Sequence, residues 1–441
     1  MRTLYNILFV LGFWISAPYY FLKMWRRGGW QAGFRERFGD YGARTKHAVT
    51  NRHVLWMHAV SVGEVNLCTQ LIRALEPRAP NLKIVVSTTT STGMGELHKK
   101  LPGHVEKVYY PIDKRAYVTR AVSIIHPNAV VLIEAEIWPN FLWRLQDRHT
   151  PAFLVNARLS DRSYRGYRRT RFLFGPLFAS FAGVGAQNEA DAARFIALGC
   201  RPEAVRVVGS LKFDAARLDE RRLLDVPALL RQLGVAPDAP ILVAGSTHAG
   251  EETLIADMFL RLRGRFPGLF LVLVPRHFER GKEVGRELDA RGVRFVYRSE
   301  VLAGTQLAPD SVHCLLVNTT GELKYFYEHA TVIFVGKSLA GEGGQNPIEP
   351  GAMGKAMVFG PNMQNFAPIA ASFVAGDAAV QVRNAEQLET AVAELLASED
   401  RRAVLGRNAM QVVKANTGAI DRTVDMILDH LGDTDTYVTG R

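Results

Sequence analysis

A chain of 441 residues, 48% hydrophobic and 22% charged, is globular and too long for one ordinary domain. The net charge of +11 points to an acidic partner: nucleic acid, anionic lipid or a phosphorylated substrate. Three scattered cysteines (Cys68, Cys200, Cys314) exclude a disulfide framework or CxxC zinc site, and the histidines form no HExxH pattern, so no metal site is readable.

In chain order the first feature is Leu4–Leu22, about nineteen residues without a charge and roughly enough to cross a bilayer. Trp14, Tyr19, Tyr20 and Trp25 are interfacial types, and Lys23, Arg26 and Arg27 outweigh Arg2, which leaves the bulk of the chain in the cytoplasm. We therefore expect an N-terminal membrane-anchoring helix. Pro18 and Asn6 weaken a full span, so the helix either crosses once or lies in the interface. Arg26, Arg27, Arg35, Arg37 and Arg44 follow, interleaved with Trp30, Phe34 and Phe38. After an apolar anchor, such a segment suits an anionic membrane surface better than nucleic acid. A solvated amphipathic helix is the plainer alternative.

From His53 short apolar runs alternate with turns and helical patterns, the signature of parallel βαβ units. Strands are expected at Val54–Met57, Ile84–Ser87, Val108–Tyr110, Ala129–Ile133, Phe153–Val155, Gly183–Ala186 and Val205–Val208. A strand-free stretch rich in Arg and Leu runs from Gly209 to Pro240. The scheme then resumes at Ile241–Ala244, Phe270–Val274, Val293–Tyr297, Cys314–Val317, Val332–Val335 and Met357–Phe359, with a helical tail from about Ala385 to Leu431. The expected organisation is an anchor and basic segment (1–36), an acceptor-binding Rossmann-like domain (37–220), a linker (221–240), a donor-binding Rossmann-like domain (241–410) and a closing helix (411–441). Two doubly wound α/β domains of this kind predict an interdomain cleft at the carboxyl ends of their strands.

Within the second half, Val332–Pro361 carries the clearest local signal. A β-branched strand breaks at Gly336, and Gly341, Gly343, Gly344 and Gly351 follow. Asn346-Pro347-Ile348-Glu349 reads as a helix start, with Asn at the N-cap, Pro at N1 and Glu at N3. Strand, glycine loop and helix N-terminus together suit an anion. Glu349 is either a capping partner for the Asn346 N–H or a carboxylate for ribose hydroxyls. The spacing leaves both open.

The remaining strand ends carry HAVSVGE (58–64), EAEIWPN (134–140) and GSLKFD (209–214) in the first half, then GSTH (245–248), PRH (275–277) and NTTGE (318–322) in the second. Carboxylates gather in the first half; glycines, hydroxyls and cations gather in the second. Together with GGQNPIEP (343–350), these motifs resemble the 3-deoxy-D-manno-octulosonic acid (Kdo) transferase family along essentially the whole chain. The resemblance implies a two-domain GT-B fold and a metal-independent, inverting glycosyltransferase without a cofactor. It would move Kdo from CMP-Kdo to the lipid A precursor at the cytoplasmic face of the inner membrane. Glu64 then matches the family's general base, and Glu134 and Lys212 match positions that stabilise the transition state. Pro275, Arg276, Gly321, Glu322, Leu323, Asn346, Pro347, Ile348 and Glu349 fall to the CMP moiety. Asn318 and Phe278 depart from the family pattern, where Asp and Pro are expected.

Each assignment has a plainer reading. Glu64 could stabilise its own helix, Glu134 could pair with a nearby arginine, and Lys212 could be one more cation. His58, His248 and His277 read as pocket residues and not as bases. The Ser87–Thr92 hydroxyls could touch an acceptor or cap a helix. Two rival functions stand beside the main one: a GT-B enzyme using a UDP-sugar, and a non-catalytic, membrane-tethered binder of polyanions.

Overall fold

The computed structural model describes residues 2–26, 31, 33–134, 136–214 and 224–431. The chain divides into a first unit, Met1–Ala215 with Thr417–Arg441, and a second, Ala216–Asn416.

The first unit is built on seven parallel strands: β1 (Val54–His58), β2 (Lys83–Thr88), β3 (Glu106–Tyr109), β4 (Ala129–Ile133), β5 (Ala152–Ala157), β6 (Gly183–Ala186) and β7 (Val205–Val207). Their order across the sheet is β3-β2-β1-β4-β5-β6-β7. The order in which strands are added reverses beside β1, where Trp56 pairs in parallel with Val85 on one side and Val130 on the other. β1 and β4 are buried along their whole length because helices cover both faces of the sheet. One face holds Trp56, Phe141, Leu154 and Phe178; the other holds Leu71, Ile133, Val155 and Ile427.

The second unit repeats the scheme with β8 (Ile241–Thr247), β9 (Phe270–Pro275), β10 (Phe295–Tyr297), β11 (Cys314–Leu316), β12 (Val332–Val335), β13 (Met357–Phe359) and β14 (Val380–Gln381). Its order is β10-β11-β9-β8-β12-β13-β14, again all parallel. The stretch expected to be a linker supplies a helix, Val226–Gln232, whose Val226, Leu229 and Leu230 are buried. The helical tail is three helices, Ala385–Ala397, Glu399–Asn416 and Ala419–Leu431. The last belongs to the first unit and buries Val424, Met426 and Ile427 there.

The amino terminus forms the expected helix, Arg2–Arg26, and of the two arrangements expected for it a full span finds no support. Among the described residues no helix is long and apolar enough to cross a membrane. The physical reason lies in its first two turns, which spend polar groups on the folded domain. Arg2 pairs with Asp147 at 2.9 Å, the Tyr5 hydroxyl donates to Asp113 at 2.8 Å, and the Asn140 amide donates to Asn6 at 3.0 Å. The opposite stripe stays in solvent: Leu4, Ile7, Leu8, Leu11 and Ile15 are each more than half exposed. The basic segment is only partly available to a surface. Arg26 and Arg44 are exposed, Arg35 is paired with Asp40, and Arg37 is half-buried over the Tyr109 ring at 4.1 Å. Arg27 and Trp30 lie outside the described residues.

Candidate active site

In the first unit the three expected catalytic residues follow β1, β4 and β7. Glu64 sits in the first turn of Val62–Leu75, whose N-cap is Ser61. The Ser61 hydroxyl accepts from the Glu64 N–H at 3.2 Å and donates to Glu64 Oε1 at 2.8 Å, while the Val60 N–H donates to Oε2 at 2.8 Å. This is capping-box chemistry moved one residue back, so the plain reading of Glu64 is realised. It does not exclude the other. Burial pushes the Glu64 carboxyl up, with Glu134 and Glu136 adding to the rise against the hydrogen bonds from Val60 and Ser61. A carboxylate pinned at one end of a helix and made more basic suits proton abstraction.

Glu134 follows β4 with φ at +64°, a left-handed conformation that costs a non-glycine residue about 1 kcal/mol or more. Arg158 lies 3.7 Å from its carboxylate, and the Asn156 amide lies 3.5 Å away. Asn156 is itself left-handed at φ +52° and buried, and its side-chain oxygen accepts from the Leu211 N–H at 3.2 Å. It therefore joins the Glu134 turn to the short helix Leu211–Asp214 that carries Lys212. Burial pulls the Lys212 ammonium down; Glu134 and Glu64 oppose that shift and Arg158 adds to it. These carboxylates and cations thus form one electrostatic group. Beside Lys212, the Ser210 hydroxyl is buried without a hydrogen-bond partner. Neither Asn156 nor Ser210 was singled out from sequence; Asn at a strand end, where αL is needed, was the available signal.

His58 is stacked 3.9 Å from Tyr110 and bonded to Ser87, and burial pushes its ring down to about 3. A group so reluctant to take a proton is a poor base. Thr90 caps Ser91–Lys100 through the Gly93 N–H at 3.0 Å, so the hydroxyl run after β2 has its capping role.

In the second unit the expected donor residues follow β9, β11 and β12. Pro275 ends β9 and is buried, and Arg276 is exposed just beyond it. Gly321 takes φ +82°, a value that favours glycine, ahead of Glu322 and Leu323, which open the helix Leu323–Glu328. Glu322 accepts from the Thr319 hydroxyl at 2.6 Å and lies 3.1 Å from Arg298. Asn318 donates to the Ser299 hydroxyl at 2.8 Å and accepts from the Ser299 N–H at 3.0 Å. Aspartate at 318, when ionised, would accept at both places, with the Ser299 hydroxyl donating instead of accepting. Phe278, the other departure, is nearly half exposed.

The Asn346–Glu349 turn differs from expectation by one residue. Pro347 is the N-cap of Ile348–Ala352, and the Asn346 side chain accepts from the Ile348 N–H at 3.1 Å. Glu349 Oε1 accepts from the Asn346 amide at 3.2 Å, not from its backbone N–H. The helix has five residues, so its dipole is a weaker anion holder than the sequence suggested. Burial pushes Glu349 up, while Asn346, Lys324 and Arg276 oppose the rise. This puts Arg276, Lys324 and Glu349 in one neighbourhood.

Much of the glycine density has a packing cause. A Cβ at Gly336 would meet the Ser246 carbonyl oxygen at 2.5 Å, and one at Gly351 would meet the Phe373 ring at 2.6 Å. What shapes the loop is Glu251, which sequence reasoning missed. Its fully buried carboxylate accepts from the N–H groups of His248 (3.0 Å), Lys337 (2.6 Å), Ser338 (2.8 Å) and Leu339 (2.9 Å). The signal was there: Glu251 and Glu252 continue the apolar stripe of Ile255, Met258, Phe259 and Leu262, and an acid on such a stripe needs dedicated partners. Glu252 finds Arg280 at 2.7 Å.

Two parallel seven-stranded units, each with candidate side chains at its strand ends, have the architecture of the GT-B fold class. Solved structures agree on fold alone: a UDP-GlcNAc 2-epimerase from Neisseria meningitidis superposes with a TM-score of 0.60 at 13% identity, covering 86% of this chain and 100% of that one. Residues 32–215 match the family model described as 3-deoxy-D-manno-octulosonic-acid transferase. The chain is 32% identical to the 3-deoxy-D-manno-octulosonic acid transferase of Haemophilus influenzae over 90% of this chain and 91% of that one, and 33% identical to that of Bordetella pertussis over 94% and 97%. The chain belongs to the Kdo transferase family, a family of glycosyltransferases of lipopolysaccharide biosynthesis.

Proposed function

We propose that this Kdo transferase takes Kdo from CMP-Kdo, uses the lipid A precursor as acceptor, and inverts the anomeric centre with Glu64 as general base. The supporting observation is the Glu64 carboxyl, held by Val60 and Ser61 and raised by burial beside Glu134 and Glu136. The acceptor hydroxyl gives its proton to Glu64 as its oxygen attacks the anomeric carbon. The bond from that carbon to the CMP phosphate oxygen breaks, and CMP leaves as a phosphate monoester. Arg276 and Lys324 meet the departing charge, while Glu349 and Glu322 suit ribose or cytosine hydrogen bonds. Pro275, Gly321, Leu323, Asn346, Pro347 and Ile348 shape the nucleotide's seat. Lys212, kept beside Glu134, suits the donor's own carboxylate.

The exposed stripe Leu4–Ile15 and Arg26 support a protein that lies on the cytoplasmic surface of an anionic membrane. Incubation with CMP-Kdo and the lipid A precursor, read by mass spectrometry, tests the reaction. A Kdo mass increment on the acceptor is expected. Turnover of a UDP-sugar instead would overturn the donor assignment.

A further inference from the structure

The first unit holds a cavity of about 880 Å³ that none of the proposed catalytic or donor residues lines. Its walls come from the inner face of the amino-terminal helix (Phe9, Phe13), from Phe34 and Phe38, and from Tyr110 and Trp138 at the carboxyl ends of β3 and β4. The charged groups on its lining are Arg37, Lys114 and Asp113. Asp113 is already spent on Tyr5, Asn140 and Phe141. Two buried polar atoms on the walls have no hydrogen-bond partner: the Tyr110 hydroxyl and Arg37 Nε. Both atoms are closed off from solvent, so the surface that the cavity offers an occupant is chiefly aromatic and apolar.

We propose that this cavity binds one acyl chain of a phosphate-bearing membrane lipid, with the chain against the aromatic walls and the phosphate at Arg37 and Lys114. A peptide is a poor occupant, because walls of this kind would leave most of its backbone groups unpaired. A chain drawn from a membrane is a good one. The same helix that walls the cavity exposes Leu4, Ile7, Leu8, Leu11 and Ile15 on its other side, and Arg37 and Lys114, neither of them paired with Asp113, match a phosphate. Resting on the functional reading above, the lipid is the acceptor itself. Arg37 donates to the Thr89 carbonyl at 2.7 Å, Thr90 donates to the Val60 carbonyl at 3.1 Å, and the Val60 N–H donates to Glu64 at 2.8 Å. The cavity is thus three hydrogen bonds from the proposed base.

Gly12 lies on the cavity wall, and a Cβ there would meet no atom within 4 Å. Gly12→Phe in the full chain should therefore fill the cavity without straining the helix. Titration with cis-parinaric acid, a fluorescent C18 acyl probe, should show saturable binding by the wild type that weakens on the order of tenfold in the variant, as loss of a few buried methylenes implies. In turnover, the wild type's preference for the tetraacylated over the deacylated acceptor, taken as kcat/KM, should shrink by a similar factor, with CMP affinity and Tm unchanged. Equal probe binding by both proteins, or a persisting acyl preference, would overturn the proposal. So would absence of probe binding, above all if Gly12→Phe altered the oligomeric state, which would give the cavity to a second copy of the chain. If the probe binds and Gly12→Phe displaces it, but neither acceptor receives Kdo, the cavity assignment stands and the acceptor reading fails.

Discussion

The Glu251 carboxylate accepts from the Ser338 N–H at 2.8 Å across 87 residues of sequence, and so ties the end of β8 to the loop after β12. With its bonds to Lys337 and Leu339 it fixes three successive backbone N–H groups of the glycine loop. Lys337 is held at φ +54° in the process. In Glu251→Gln an amide NH₂ replaces one oxygen and faces N–H donors that it cannot satisfy. Leaving buried donors unpaired costs about 1–3 kcal/mol. We expect CMP affinity, measured by calorimetry, to fall roughly ten- to hundredfold at that cost, with no change in acceptor binding. Unaltered CMP affinity would show that the loop does not contribute to the nucleotide's seat.

Glu64→Gln keeps the shape and the helix start but cannot take a proton. Turnover should drop by about a hundred- to ten-thousandfold, the usual scale of a general base, while CMP binding holds. Near-normal turnover would remove Glu64 from the mechanism.

The pH profile carries a sign. Burial and the Glu134 and Glu136 charges raise the Glu64 carboxyl, so the base is protonated, and kcat/KM lost, at a higher pH than for an ordinary carboxylate. Glu136→Gln removes one of the charges that oppose ionisation. The acid limb of that variant should move to lower pH; a limb that stays put would mean that another group limits the reaction there.

Arg276 and Lys324 are assigned the charge of departing CMP, so transfer should persist after exhaustive treatment with EDTA. Activity that vanished and returned with Mg²⁺ would show that these cations do not suffice.

The exposed stripe of the amino-terminal helix can be tested without disturbing its packed face. Replacing Ile7, Leu11 and Ile15 together by Gln leaves the Arg2, Tyr5 and Asn6 bonds intact. Sedimentation with anionic vesicles should fall while Tm is kept. Unchanged sedimentation would assign membrane attachment to another surface.

The strands were legible because each is a short apolar run bounded by turn residues; only β14, two residues long, escaped. The cap that holds Glu64 was also close to readable, since Ser61 and Glu64 are three residues apart. The start at Asn346 slipped by one because Asn and Pro compete for the cap position there. Glu251 was hidden for a different reason: its partners lie 86 to 88 residues away, beyond any local pattern. The amino-terminal helix misled because apolar length was legible, whereas the partners of Arg2, Tyr5 and Asn6 on the folded domain were not.

The left-handed backbone at Glu134 sets stability against use. Glycine would adopt that φ freely, and asparagine at less cost than glutamate. A search for thermostable variants of this enzyme would therefore be drawn to position 134, and would collect sturdier proteins with the carboxylate beside Lys212 gone. Proteins kept near a stability threshold tolerate such residues where function repays the strain. On the function proposed above, engineering for robustness should leave position 134 alone.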